Sequence, residues 1–510
     1  MDTDHLNDPQ KSKGIIYQID AKNTDLVNYP QKKDAMLIGR EQEIAFLKKA
    51  VERDEAQFVA VYGRYRVGKT SLIQEALKGR FTFQHAGVCR GTREEQLAAF
   101  SKSLTDAGLM ANSSAPRNWF EAFQLLKQLI SQSTQRKKII FLDELSWMDT
   151  AKADMMRALE HFWNAWASAR HDLVLIVCSS ATSWMRQKVI HNQSRLYHRL
   201  TGQMRVKPFT LVQCKSYVAQ RNLAFSDTQI MELYMAVGGI PYYWGLMQKG
   251  FSVAQTMDAL FFAEDAPLRA EYDDLFAATF KRPGDYLKIV HALAGEKKGR
   301  TRNEIIAATG LTGSGVFSEK LEDLESCGFI REYHAFGKKS KDSLYQLMDP
   351  LVLFFHHFLH VSPGDMKFWS HQSHTPAMDT WASLAFERLC LLHVDQIKAK
   401  LGISGVLTDV ASFVCKQDPE NGISGSQFDL VIRRADHTVN LLEMKYASGR
   451  YLISQSVSEE VRLKTDDFIR ATKTRDAIRL TMVTPHGLEW NAYAGEISSQ
   501  IAMEDLMRDT

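Results

Sequence analysis

The stretch Gln57–Ser71, QFVAVYGRYRVGKTS, decides how this chain is read. The apolar run Phe58–Tyr62 reads as a buried strand that stops at a glycine. The next eight residues match G-x-x-x-x-G-K-[ST] at Gly63, Gly68, Lys69 and Thr70. SLIQEAL then continues with helical spacing. In a strand–loop–helix unit of this kind the glycines let backbone N–H groups wrap phosphates at a helix N-terminus. Lys69 reaches the β/γ oxygens and Thr70 offers its hydroxyl to Mg²⁺. Arg64, Val67 and Ser71 complete the candidate nucleotide loop, and ATP with Mg²⁺ is the expected ligand.

A phosphate cradle needs a partner before it can hydrolyse anything. In RKKIIFLDELSWMD the apolar run Ile139–Leu142 ends in Asp143 and Glu144. Asp143 is placed to hold the Mg²⁺ water shell and Glu144 to orient or deprotonate the attacking water. The plainer reading is an acidic pair that caps a helix after a strand. A third run, DLVLIVCSSATSWM, ends in Ser179 and Ser180 and predicts a neighbouring parallel strand, with the hydroxyl of Ser179 near the γ-phosphate. Strands alternating with helices over residues 36–210 predict a three-layer α/β domain on a parallel sheet.

Composition bounds the rest. At 510 residues the chain is too long for one core and predicts several domains. With 45% hydrophobic and 24% charged residues it is of ordinary globular type. A net charge of +3 confines any nucleic-acid surface to a local patch. The six cysteines are scattered, with no CxxC pair, which points to buried thiols in a reducing compartment. The opening MDTDHLNDPQKSKG is polar and no apolar run approaches the ~18 residues of a membrane helix, so a cytoplasmic protein is expected.

MLIGREQEIAFLKKAV before the loop, the Asp-Glu pair, RLYHRLTGQ after the third strand and GGIPYYW further on together resemble the archaeal-type ATPases. These belong to the STAND/AAA+ branch of P-loop NTPases. The resemblance implies that Ile38, Gly39 and Arg40 form the adenine-side entry motif and that Arg199 approaches a γ-phosphate, with Arg195 as its rival. It implies that Pro241 belongs to a lid element touching the nucleotide. Whether Arg199 serves its own nucleotide or a neighbour's stays open, and with it a homo-oligomer.

Residues 211–275 carry helical spacing suited to a lid. Within 276–360, helical patterns end near Gly295, at Gly310 and near Cys327-Gly328, and REYHAF and SLYQL flank the loop GKKSK. That order predicts a winged helix-turn-helix. Lys338, Lys339 and Lys341 in the wing, with Lys297, Lys298, Arg300 and Arg302, offer a basic face to DNA phosphates. Glu319, Glu322, Asp323 and Glu325 on the third helix weaken base reading, and a protein-docking role is the alternative.

Residues 361–372 read as a linker and 373–510 as a last α/β domain, with 1–35 as an N-terminal extension. A helix carries Glu387, a strand Asp429, and NLLEMKYA carries Glu443 and Lys445. Glu, Asp and Glu-x-Lys in the order helix, strand, strand resemble the PD-(D/E)xK nucleases. The resemblance implies Mg²⁺ on Asp429 and Glu443, water held by Lys445, and a supporting Glu387. Phe428 stands where the family's proline would. The expected function is an ATP-hydrolysing switch coupled to a DNA-directed module, either a Mg²⁺-dependent nuclease or an inactive nuclease-like docking domain.

Overall fold

Long β-branched and aliphatic runs with no polar alternation belong in a parallel sheet covered on both faces, and this is how the first half of the chain folds. The structure is a computed structural model that describes residues 38–109, 115–151, 154–190, 196–337, 343–359, 364–372 and 375–509. The N-terminal extension, Arg195 and the wing lysines Lys338, Lys339 and Lys341 lie outside them. Strands β1 (Gln57–Tyr62), β2 (Phe81–Ala86), β3 (Lys138–Asp143), β4 (Leu173–Ser179) and β5 (Gly202–Arg205) form one parallel sheet in the order β2-β3-β4-β1-β5. Helices Arg93–Asp106, Trp119–Gln132 and Met155–Ala165 cover one face with an aromatic layer in which Phe123 and Phe162 lie 5.2 Å apart. Because every strand runs the same way, the loops after β1, β3 and β4 meet at one edge of the sheet.

Helices Leu211–Gln220, Asp227–Val237, Pro241–Gly245 and Glu271–Thr279 follow. Next come helices Gly284–Ala294, Arg302–Thr309 and Gly315–Ser326. They pack with a small antiparallel sheet of β6 (Arg300–Thr301), β7 (Ile330–Tyr333) and β8 (Leu344–Leu347), ordered β6-β8-β7. The Thr301–Glu304 capping box starts the second of these helices, and Gly310 at φ 67° ends it in the left-handed region that glycine enters freely.

The segment expected to be a linker contains a turn of helix, Phe368–His371. Trp369 is buried against Phe354 and Trp381, and Asp258 accepts its backbone N–H at 2.8 Å. An aromatic side chain with that much apolar area is not left in solvent, so turn-rich composition misleads there.

The last segment opens with helix Pro376–Leu392. Strands β9 (Thr408–Val414), β10 (Gln427–Arg434), β11 (Thr438–Met444), β12 (Tyr451–Leu452), β13 (Ala477–Val483), β14 (Leu488–Glu489) and β15 (Ser499–Ile501) follow, with helix Gln455–Thr472 after β12. The main sheet has the order β15-β13-β11-β10-β9. Strands β9 to β11 are antiparallel, while β11, β13 and β15 are parallel. The edge strand β9 is not bare. Ser412 donates to the His334 carbonyl at 3.2 Å, and the Phe336 N–H donates to the Ser412 carbonyl at 2.7 Å. The chain leaving β7 thus caps the sheet edge, which would otherwise invite pairing with another chain. No helix of the described residues is long and apolar enough to cross a membrane.

Candidate nucleotide site and C-terminal carboxylates

At the end of β1 the chain turns at Gly63, where a Cβ would collide with the carbonyl of Val206. Gly68 at φ 90° precedes helix Lys69–Ala76 and leaves its first N–H groups facing outward. Lys69 is buried and folds back over the loop, donating to the Arg64 carbonyl at 3.0 Å. The Thr70 hydroxyl donates to Asp143 Oδ2 at 2.6 Å, so the hydroxyl and the carboxylate at the end of β3 already converge. Val67 is buried and Ser71 is exposed.

Glu144 follows at φ 45°, a left-handed conformation that costs an L-residue ~1–2 kcal/mol. Its N–H donates to Asp143 Oδ1 at 2.9 Å. Burial pushes its carboxyl above the usual range; Lys69 pulls it down, Asp143 raises it, and the donors of Ser180 lower it. The serine that touches Glu144 is Ser180, not Ser179. Ser180 donates to Oε2 through its backbone N–H at 3.1 Å and its hydroxyl at 2.8 Å. Strand alternation turns Ser179 away, to Ser146 Oγ at 2.9 Å and the Ala181 N–H at 3.1 Å. The expectation that Ser179 faces the phosphate is corrected accordingly.

The entry motif braces this loop. Gly39 offers its carbonyl to Gln213 Nε2 at 2.8 Å, and buried Arg40 donates to the Lys207 carbonyl at 2.7 Å while pairing with Glu43 at 3.0 Å. Ile38 is half-buried just before the helix Glu41–Glu52. Half-buried Pro241 starts its short helix, and the next two residues reach the nucleotide loop. The Tyr242 ring lies 4.0 Å from the guanidinium of Arg66, which pairs with Glu271 at 2.5 Å. The Tyr243 hydroxyl donates to the same Glu271 at 2.8 Å.

Arg64, buried over the ring of Phe329, forms an ion pair with Asp349, the residue that caps helix Pro350–Phe358. These anchors, Arg66, Glu271 and Asp349, were not singled out from sequence. Two arginines inside the loop and the Asp-Pro helix start were the available signals.

Arg199 does not join this site. In the parallel register β5 pairs Gly202 with Val59 and Arg205 with Tyr62, and the Thr201 N–H donates to the Phe58 carbonyl. Arg199 therefore sits before the start of the strand, exposed at the opposite edge of the sheet, more than ~13 Å of strand from Gly63. A role on its own nucleotide is ruled out by that register.

A family of ATPase domains described as predominantly from Archaea matches residues 37–246, the segment that builds this site. Over these residues the chain carries an ATPase domain of archaeal type. An uncharacterized protein of Methanocaldococcus jannaschii, MJECL04, is 25% identical over 326 residues, 64% of this chain and 69% of its own. An uncharacterized ATP-binding protein of the same organism, MJ0423, is 38% identical over 45 residues, 9% of this chain and 76% of its own. Among solved structures, the Walker-type ATPase PABY2304 of Pyrococcus abyssi is 20% identical with a TM-score of 0.47, over 64% of this chain and 96% of that one. The ORC2 protein of Aeropyrum pernix, in its ADPNP-ADP complexes, is 14% identical with a TM-score of 0.41, over 72% and 98%.

Beyond the ATPase domain, the carboxylates expected to share a metal do not come together. On β11, Leu442 and Met444 point into the core shared with helix Pro376–Leu392, so Glu443 points to the other face, among Val439, Leu441 and Met482. There its Oε1 accepts from Lys445 Nζ at 3.0 Å and Lys464 Nζ at 2.9 Å. Regular pairing of Leu430 with Leu442 would set Asp429 directly opposite Glu443 on that face. A bulge between Phe428 and Val431 prevents it. Phe428 and Val431 share the Glu443 face, while Asp429 turns the other way with Gln427, whose Nε2 donates to it at 2.6 Å.

Glu387 lies on the Asp429 side, but buried Arg388 pairs with its Oε1 and Lys297 Nζ lies 3.3 Å from Oε2, a buried oxygen that receives no hydrogen bond among the described residues. Arg388 also donates to the carbonyls of Leu347 at 3.0 Å and Lys297 at 2.6 Å. Burial and Arg388 pull the Arg331 guanidinium down to about 10, against Tyr333, Glu387 and Asp429. Among the described residues no group of three or more His, Cys, Asp or Glu side chains is placed to hold a metal ion. The expected roles of Asp429 and Glu443 as shared metal ligands, of Lys445 as the water-holding lysine and of Glu387 as their support are corrected: the bulge turns the two ligands to opposite faces, Lys445 and Lys464 pair with Oε1 of Glu443, and Arg388 and Lys297 pair with Glu387.

Proposed function

We propose that this ATPase works as a switch whose nucleotide state is passed from the phosphate loop to the C-terminal half of the chain, which binds a partner rather than cutting it. The observation that carries the reading is the buried ion pair of Arg64 with Asp349. Phosphate entering the loop must draw Lys69 away from the Arg64 carbonyl. That displaces the loop residue whose side chain is anchored 285 positions downstream.

Thr70 and Asp143 fit Mg²⁺, since their hydroxyl and carboxylate oxygens converge and are the hard donors it takes. The ion, when bound, neutralises charge on the phosphates. Lys69 holds the β/γ oxygens and Glu144 directs the attacking water.

Residues 276–360 are read as a winged helix and 373–510 as a nuclease-like domain that has lost its metal site. Duplex DNA is the proposed partner, held by phosphate contacts through exposed Lys298 and the wing lysines. Lys297, Arg300 and Arg302 are already engaged with Glu387, Glu296 and Ser318. Glu319 and Glu322 stand exposed on the third helix, which favours phosphate contact over base reading.

The test is hydrogen exchange of residues 284–347 with and without ATP, in the parent and in Asp349→Asn. The expected result is a nucleotide-dependent change in protection that the substitution abolishes. A parent protein whose C-terminal protection ignores ATP overturns the proposal.

A further inference from the structure

Glu144 leaves β3 at a strained corner, so its backbone alone does not set where the carboxylate points. Direction comes from what the carboxylate bonds. Both donors of Ser180 meet on Oε2, the hydroxyl at 2.8 Å and the N–H at 3.1 Å. Among the described residues Oε1 receives no protein hydrogen bond, which leaves that oxygen for water. Ser180 is almost fully buried at the end of β4, between β3, which delivers Asp143 and Glu144, and β1, which delivers the phosphate loop. Among the described residues its hydroxyl has no other hydrogen-bond partner, whereas the neighbouring Ser179 is committed to Ser146 and Ala181.

We propose that Ser180 is the positioning residue of the ATPase reaction, holding Oε2 of Glu144 so that Oε1 is aimed at the attacking water. Ser180 touches neither nucleotide nor water in this role and acts only through Glu144. A charge-assisted hydrogen bond of this kind orients without adding binding energy for ATP. Removing it acts on turnover and not on the Michaelis constant.

The experiment is steady-state ATP hydrolysis by the full chain as parent, Ser180→Ala, Glu144→Gln and the double variant. Ser180→Ala keeps the backbone donor and is expected to lower kcat about tenfold with KM within about twofold. In the Glu144→Gln background the same substitution is expected to change the residual rate by less than about twofold, because the carboxylate it positions is already gone. An equal tenfold loss in both backgrounds, which a general loss of structure would produce, overturns the proposal. So does a rise in KM with kcat unchanged, which makes Ser180 a nucleotide contact, and so does a larger kcat loss in Ser179→Ala than in Ser180→Ala. Ser180→Thr retains the hydroxyl and is expected to recover at least half of the lost kcat; a Thr variant that folds, binds ATP and stays at the alanine rate also overturns it.

Discussion

The two ends of the chain carry acidic motifs of similar appearance, and they fold to different purposes. At the nucleotide site Asp143 meets Thr70 at 2.6 Å, and Lys69 closes over the loop. At the C-terminal sheet Glu443 is held by Lys445 and Lys464, while Asp429 looks out of the other face. The first constellation is assembled by parallel strands that all end at one edge, an arrangement that tolerates little register freedom. The second depends on cross-strand register in an antiparallel pair, where one extra residue sends a side chain to the opposite face.

The largest effect separates the two regions outright. Lys69→Ala is expected to abolish ATP binding, and Glu144→Gln to keep binding while lowering turnover by about 100-fold or more, by analogy with water-positioning groups in phosphoryl transfer. Isothermal titration and a phosphate-release assay check both. A Glu144→Gln protein as fast as the parent would remove the distinction between binding and hydrolysis at this site.

Asp349→Ala comes next. It leaves the Arg64 guanidinium buried without its counter-ion and is expected to cost roughly 3–5 kcal/mol in chemical denaturation. A loss below about 1 kcal/mol would mean that the two regions are not joined through this pair.

In the C-terminal region, Glu443→Ala strands Lys445 and leaves Lys464 with Glu460 alone, at an expected cost of roughly 1–3 kcal/mol. If Glu443 were a metal ligand, chelator would destabilise the parent by a similar amount; no response to chelator is expected.

Arg66→Ala frees the phosphate loop from Glu271 and Tyr242, and release of a fluorescent ADP is expected to accelerate about tenfold in stopped flow, equivalent to ~1.4 kcal/mol. Unchanged release would confine Arg66 to a packing role. Asp429→Ala closes the series. Its stability change is expected within about 0.5 kcal/mol, with no loss of DNA or RNA cleavage in Mg²⁺ or Mn²⁺ because none is expected in the parent. Cleavage that disappears in Asp429→Ala would restore the metal reading of the sheet.

What could be read in advance followed the same division. Gly63, Gly68, Lys69 and Thr70 lie within one local unit, and Asp143-Glu144 ends an apolar run that has few other places to go in a parallel sheet. Arg199 looked well placed because its segment resembles the one that carries an arginine in the archaeal-type ATPases, yet the register of β5 sends it to the far edge. Ser179 and Ser180 are adjacent, and only the phase of β4 tells them apart. Glu387 has the right residue type on the right helix, but its own neighbour Arg388 and distant Lys297 neutralise it.

The sequence by itself determined the ATPase loop, the parallel strands needed to present it, and the succession of helices and strands beyond, because these rest on local spacing and on apolar runs a few residues long. Tertiary structure alone decided that Arg64 and Arg66 reach forward to Asp349 and Glu271, that β9 is covered by residues 334–336, and that Asp429 and Glu443 part company. Each of these turns on a contact between segments far apart in the chain or on one residue of register, and neither leaves a periodic trace in the sequence.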